Sequence, residues 1–354
     1  MLWRREKRDG QPPKVVLAAV ARNESAYLAE WIHHHLYFGV DLIDITVNRS
    51  DDPSERVLDA ICRVEPRLRY RNGDFLDRGK PGSRNIQIEA YKMVRRHYRR
   101  RYGRRDYLFF LDIDEFWTPV DFETRIADVL LEAGLPDIAL FNWFSLLSDK
   151  TLFARTFADP IAGLHVPQIK TAARLGLWPV RISPHSIRTP APARRWSAAG
   201  LRTDWKNRSQ TVTAPNDFGP AFVVHRQYRT PLEYLAIVAR GNPRRNAARF
   251  KVNRVGYRDR DDHSSWQKSF EITPGLRDAY EMSLDGFLAR AGLADLLVEA
   301  RLSVLRKAED AVATFRDLPD KEQRQLALLF SNLDLDDVDT ALAQARAAVM
   351  SRAV

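Results

Sequence analysis

Residues 106–117 read DYLFFLDIDEFW, a run of aliphatic and aromatic residues that ends with Asp112, Asp114 and Glu115 almost adjacent. The apolar part, Tyr107 to Leu111, has the length of a buried strand. A buried strand that carries carboxylates to its tip marks a site more often than a solvated turn. If the strand continues, Asp112 and Asp114 at i and i+2 fall on the same side, and a hard divalent cation with oxygen ligands is the natural way to neutralise them.

Outward from this strand, the first third of the chain alternates two periodicities. KVVLAAV (14–20) and DLIDITVN (41–48) are short strand-like runs, and LRYRNGDF (68–75) is a third. Between them YLAEWIHHHLYFG (27–39) sets Leu28, Trp31, Ile32, His35 and Leu36 on one helical stripe, with Gly39 as its stop. Residues 54–64 suit a second helix and 84–102 a longer one. Strand, helix, strand, helix predicts an α/β domain with a parallel sheet covered on both faces. In such sheets ligands bind beyond the carboxyl ends of the strands, and three of these ends are polar: Asn23-Glu24, Asn48 to Asp52, and Asp112 to Glu115. No GxGxxG or GxxxxGK[ST] stretch is present, which disfavours a dinucleotide fold or a P-loop and leaves a metal as the means of holding a phosphorylated ligand.

Composition narrows the class. With 354 residues, 45% hydrophobic and 29% charged, the chain can bury a large core, and its longest apolar runs are strand-sized, far short of a membrane span. The basic start MLWRREKRDGQPPK lacks an apolar signal core, and one cysteine, Cys62, excludes an internal disulfide framework. The expected location is therefore cytoplasmic. The net charge is +10, with much of the excess in YKMVRRHYRRRYGRRDY (91–107). That block predicts a solvated helix face that steers the protein toward anionic acceptors or into peripheral association with an anionic membrane at its inner surface. No zinc spacing, helix-turn-helix signature or RNP-like strand accompanies it, so no specific nucleic acid is expected, and a basic nucleic-acid-binding protein is the weaker alternative.

Four blocks in order, ARNESAYLAEWIHHHLYFGV, ITVNRSDDPSERVLD, KPGSRNIQIEAY and FFLDIDEFW, cover nearly all of residues 14–118. Together they resemble the opening half of bacterial family 2-type glycosyltransferases, in particular the "NE…EW…HH…G" group related to family 92. FNWFSLLSDK, QIKTAARL, SPHS and FVVHRQYRTPLEYLAIVARG resemble that group's later blocks. There the chain departs from the pattern: Arg226 follows His225 where Tyr is usual, and Thr230-Pro231 stands where Lys-Ser is expected. The resemblance implies a GT-A-like, Rossmann-type α/β domain over residues 14–250, with a donor half at 14–120 and an acceptor half at 121–250. A basic tail (1–13) precedes it, and a connection and C-terminal helical region (251–354) follow.

The same resemblance implies a DxD motif in which Asp112 and Asp114 hold Mn²⁺ or Mg²⁺ and the nucleotide sugar. It places Arg22, Asn23 and Glu24 near the base, with Asp51 or Asp52, and sets Arg84 and Asn85 in the donor pocket. A helix start beside Gly79, Lys80 and Gly82 is independently a favourable place for negative charge. His33, His34 and His35 point in different directions on a helix and cannot share one metal, so His34 and His35 are expected to be structural. His225, after the strand-like AFVV, is expected to return to the metal as a neutral imidazole, as a C-terminal histidine does in some enzymes of this fold; His185 is a weaker candidate. The catalytic base is expected among Glu115, Asp149, Asp204 and Asp217. The implied activity is transfer of a sugar, with inversion, from a UDP-sugar donor to a glycan or lipid-linked hydroxyl acceptor in surface glycan assembly. The alternative enzyme is a haloacid-dehalogenase-type phosphatase with Asp112 as nucleophile and Asp114 as general acid. Against it, Phe116 stands where Thr or Val follows in that motif, and three α/β segments come before.

Overall fold

The computed structural model describes residues 12–77, 86–149, 151–178, 180–204, 206–241, 250–251, 254, 256–258 and 267–351. The first third follows the expected alternation: β1 (Val15–Ala21), α1 (Ser25–Tyr37), β2 (Leu42–Val47), α2 (Ser54–Cys62), β3 (Leu68–Asn72), α3 (Ile86–Tyr98) and β4 (Tyr107–Phe110). Next come β5 (Glu115–Pro119), α4 (Ile126–Glu132), β6 (Ile138–Leu146) and the long β7 (Ile161–Arg174). The stretch after β7 holds three short strands, β8 (Arg181–Ile182), β9 (Ile187–Arg188) and β10 (Arg195–Ser197), and is followed by β11 (Ala221–His225) and α5 (Pro231–Ala239). Finally β12 (Gln267–Phe270) leads to four helices: α6 (Pro274–Arg290), α7 (Ala294–Arg316), α8 (Asp320–Leu326) and α9 (Val338–Ser351). No helix among the described residues is long and apolar enough to cross a membrane.

The α/β expectation holds, but the sheet is mixed rather than parallel. Its strand order is β3-β2-β1-β4-β7-β6-β11-β5, with β10 beside β6 and β12 beside β7. β1 to β4 are parallel, whereas β7 runs antiparallel to both β4 and β6. A strand that returns antiparallel needs no helical crossover, which is why the β-α rhythm ends at residue 110. A second departure lies in DYLFFLDIDEFW itself. The strand stops at Phe110, and residues 111–114 turn, closed by the Glu115 N–H donating to the Asp112 carbonyl at 3.0 Å. Asp112 and Asp114 therefore do not share one side of a continuing strand. The turn carries the chain from β4, in the middle of the sheet, to β5 at its far end.

Both faces of the sheet are covered. One core, around Val16, Ala18, Leu108, Phe110 and Ile169, lies under α3. The larger core joins Val15, Leu17 and Ile43 to Leu305, Ala308 and Val312 of α7 and Leu342 of α9, so the C-terminal helices share the core of the sheet domain. Gly39 ends α1 as expected: it takes φ +86°, and a Cβ there would press on the Arg125 side chain. The Leu28, Trp31, Ile32, His35 and Leu36 stripe is buried, and so are His33 and His34 on the opposite side, because α6 packs over it.

His34 and His35 are structural. The Nε2–H of His34 donates to the Trp117 carbonyl at 2.8 Å, so its Nδ1 accepts from the Tyr280 hydroxyl at 3.1 Å. His35 has the opposite tautomer, donating from Nδ1 to the Trp31 carbonyl (2.8 Å) and accepting the Trp117 N–H (3.2 Å). His33 Nε2 meets Ser283 Oγ at 2.9 Å. Burial lowers all three pKa values from 6.5, to about 4 for His33, to about 3 for His35, and well below for His34. The unfolded chain takes up protons on these histidines below pH 6.5 while the folded chain does not. Their contribution to stability is complete above that pH and declines as pH falls toward the folded values. Between about pH 7 and pH 4.5 the loss should be on the order of 2 kcal/mol for each histidine. Urea unfolding checks this: His33→Gln should flatten the acid limb relative to the wild type, and an unchanged limb would contradict the assignment.

Candidate functional site

Strand register assembles the site. Glu115 opens β5 and pairs directly with His225, the last residue of β11, while the Arg226 N–H donates to the Asp114 carbonyl at 2.8 Å. Asp114 Oδ2 consequently lies 3.6 Å from His225 Nε2. One ligand atom from each of Asp114, Glu115 and His225 lies within 4.8 Å of the other two. Next door, the register of β6 against β7 shifts between Asn142 and Phe144, and such bulges re-aim side chains. The Trp143 ring between them stands 4.1 Å from the ring of His225 and 5.1 Å from that of His185.

The turn places Asp112 elsewhere. Its Oδ1 accepts from Gln87 Nε2 at 2.5 Å and its Oδ2 from Lys170 Nζ at 3.0 Å. Lys170 is fully buried in β7, donates also to the Pro184 carbonyl at 3.0 Å, and lies 2.8 Å from Glu115 Oε2. Burial works against its charge, but Asp112 and then Glu115 outweigh that and raise its pKa. The ammonium thus belongs chiefly to Asp112. Glu115 is the surplus carboxyl: burial pushes its pKa well up, Lys170 opposes this, and Asp112 and Asp114 add to it. Asp114 is the reverse case, since His225, Arg254 and Arg229 overcome its burial and hold it well below the usual carboxylate range.

These residues fit a divalent cation. Glu115 Oε1 and His225 Nδ1 are buried with no hydrogen-bond partner, and a carboxylate pair with one imidazole is a suitable oxygen and nitrogen donor set. Asp112, one of the two expected ligands, is outside the converging group, while His225 and Asp114 are in it. No protein-family model matches this chain, and it has no match among curated proteins. The geometry of the chain's own residues therefore carries the functional reading.

A group of cations borders the site. Arg229, buried, lies 3.6 Å from Glu24 and over the Tyr27 ring at 3.4 Å, and its Nε and Nη1 have no hydrogen-bond partner. Arg240 pairs with Glu24 and donates to the Asn23 carbonyl at 2.9 Å. Arg254 is 3.7 Å from Asp114, its Nε also unpartnered. Burial, then Arg254 and Arg240, lower the Lys251 pKa to about 8. Among the described residues, Arg229, Arg240, Lys251 and Arg254 thus gather beside Glu24 and Asp114, a group of cations that an anionic ligand would suit.

The remaining expected residues fall into two sets. Asn23, at φ 55°, accepts the Asp51 N–H on its side chain at 2.9 Å, and Asp52 accepts the Ser25 N–H at 2.9 Å, so the loops after β1 and β2 interlock. Glu24 takes the N-cap position of α1, and Asp52 caps the helix from the next loop. Arg22 is half-buried beside them, and Asp51 points outward to Lys307. Arg84 and Asn85, with Gly79, Lys80 and Gly82, lie outside the described residues. Asp204 caps the Lys206 N–H at 2.8 Å in a turn, and Asp217 is exposed near His165. Neither has a polar contact with Asp114, Glu115 or His225 among the described residues. Asp149 is held by Arg226 Nε and Nη2 at 2.8 and 2.6 Å.

Sequence reading missed Lys170 and Arg229. The signal for Lys170 was a lone charge within the apolar run IKTAA. Breaking this buried ion pair should be costly: Lys170→Met should lower the unfolding free energy by about 3 to 5 kcal/mol. In a Glu115→Gln background the same replacement should cost less, and equal costs by urea unfolding would refute the coupling.

Proposed function

We propose that the protein is a divalent-cation-dependent glycosyltransferase that moves a sugar from a nucleotide-sugar donor, a UDP-sugar by resemblance, to a hydroxyl acceptor in surface glycan assembly. The observation that carries the proposal is the group of cations, buried Arg229 and half-buried Arg240, Lys251 and Arg254, beside the converging Asp114, Glu115 and His225. A diphosphate needs positive charge on both sides, and this site can supply it from fixed side chains on one and from a held cation on the other.

Asp114, Glu115 and His225 would hold Mn²⁺ or Mg²⁺. Bound there, the cation supplies Lewis-acid charge that stabilises a departing nucleoside diphosphate. Arg254 and Arg229 orient the anion with fixed guanidinium groups. Asp112, held on both oxygens by Gln87 and Lys170, is positioned for hydrogen bonding to the donor rather than for nucleophilic attack, which favours this reading over a phosphatase. We assign Glu115 to holding the cation and not to proton transfer. The reaction belongs in the cytoplasm on this reading, with the acceptor a glycan or a lipid-linked glycan.

Calorimetric titration tests the proposal. UDP should bind only with Mn²⁺ present, and Asp114→Asn should abolish that binding while leaving the fold intact. Arg254→Gln should weaken UDP by about tenfold or more, as expected for loss of a charged hydrogen bond, while Mn²⁺ still binds. Metal-independent UDP binding, or none in either condition, would overturn the assignment.

A further inference from the structure

The face of the sheet covered by α3 carries a second concentration of charge. Arg96, Arg99 and Arg100 are exposed at helical spacing of three and four, and Arg101 follows in the turn. None of the four has a carboxylate partner among the described residues. Against α3 lies the β7–β8 connection, LGLWPVRI (175–182). Arg95 fixes it by donating to the carbonyls of Leu175, at 3.5 Å, and Leu177. At its tip Trp178 is 63% exposed, with the Arg99 guanidinium 4.7 Å and that of Arg95 5.9 Å from its ring. Beyond it, Arg181 and Arg188 are direct cross-strand partners in β8 and β9. Like charges placed opposite each other repel, and neither has a carboxylate partner among the described residues.

We propose that this face, with Arg99 against Trp178, Arg96 and Arg100 beside it in sequence and Arg181 and Arg188 on the adjoining hairpin, docks the protein on anionic lipid headgroups. Unneutralised arginines supply the attraction to a negatively charged surface, and the exposed indole of Trp178 has the amphipathic character of groups that settle at the headgroup and acyl boundary. Single-stranded nucleic acid calls instead for successive aromatic platforms, and this connection has one aromatic residue. The α3 end of this face stands apart from the candidate site, although the β8–β9 turn reaches it through Pro184, which accepts from Lys170: Gln87, which touches Asp112, opens α3, and Arg99 lies about 18 Å further along at 1.5 Å per residue. Docking and nucleotide binding are therefore separable.

The test is co-sedimentation with phosphatidylcholine vesicles, with and without phosphatidylglycerol as the minority lipid, alongside poly(U) RNA at the same salt. The protein should sediment only with the anionic vesicles and less at high salt. Affinity should fall about fivefold for each of Arg96→Ala and Arg99→Ala, and fall further in Trp178→Ser. Mn²⁺ binding in these variants should match the wild type. If either arginine variant fails to fold, Arg100→Ala in the exposed turn carries the same test. Absence of binding to anionic vesicles, binding that the variants leave unchanged, or tighter binding to poly(U) would overturn the proposal.

Discussion

A buried ammonium between two carboxylates holds the site together. Lys170 ties β7 to Asp112 at one end of the turn after β4 and to Glu115 at the other, so the turn cannot relax without leaving charges unpaired in the core. That turn sends the chain to the far edge of the sheet and delivers Asp114 to His225. Replacement of a buried pair by apolar groups is often neutral for stability. What the pair does here is fix a geometry: it separates two aspartates that would otherwise point together.

Much of the fold was legible because it is local. Val15–Ala21 is an apolar run too short for a helix, Leu42–Val47 alternates apolar and polar residues, the α1 stripe has helical period, and Gly39 is needed at a positive φ. The three polar strand ends were also legible, and two of them interlock through Asn23, Asp51 and Asp52. The Thr230-x-x-Glu233 pattern is a capping box in the structure, which accounts for Thr-Pro at the start of α5. The histidines were legible in part, since three consecutive helix positions cannot converge.

What was not legible depends on strand pairing at long sequence separation. The insertion of β7 antiparallel between β4 and β6 leaves no local trace, and neither does the end of β4 at Phe110, because Leu111 and Ile113 are as buried as the strand before them. The division of Asp112 from Asp114 follows from that ending. Asp204 and Asp217 lie in the half of the chain expected to face the acceptor, and their neighbourhood is decided by loops whose course no periodicity marks. The cation surplus was hidden for a similar reason: Arg229 and Arg254 read as ordinary polar loop residues until burial and the nearness of Glu24 and Asp114 are known.

The clasp between α1 and α6 bears on the order in which the chain folds. His34 and Tyr280 are 246 residues apart, and Glu115 meets His225 only once β11 is present. A nascent chain that has completed β1 to β4 has neither the Asp114, Glu115 and His225 group nor the cover for α1, and its apolar and imidazole surface stands open until α6 has been synthesised. Long-range contacts of this kind slow folding and lengthen the exposure of sticky intermediates. Cover for α1 therefore waits on α6, whose Tyr280 and Ser283 meet His34 and His33.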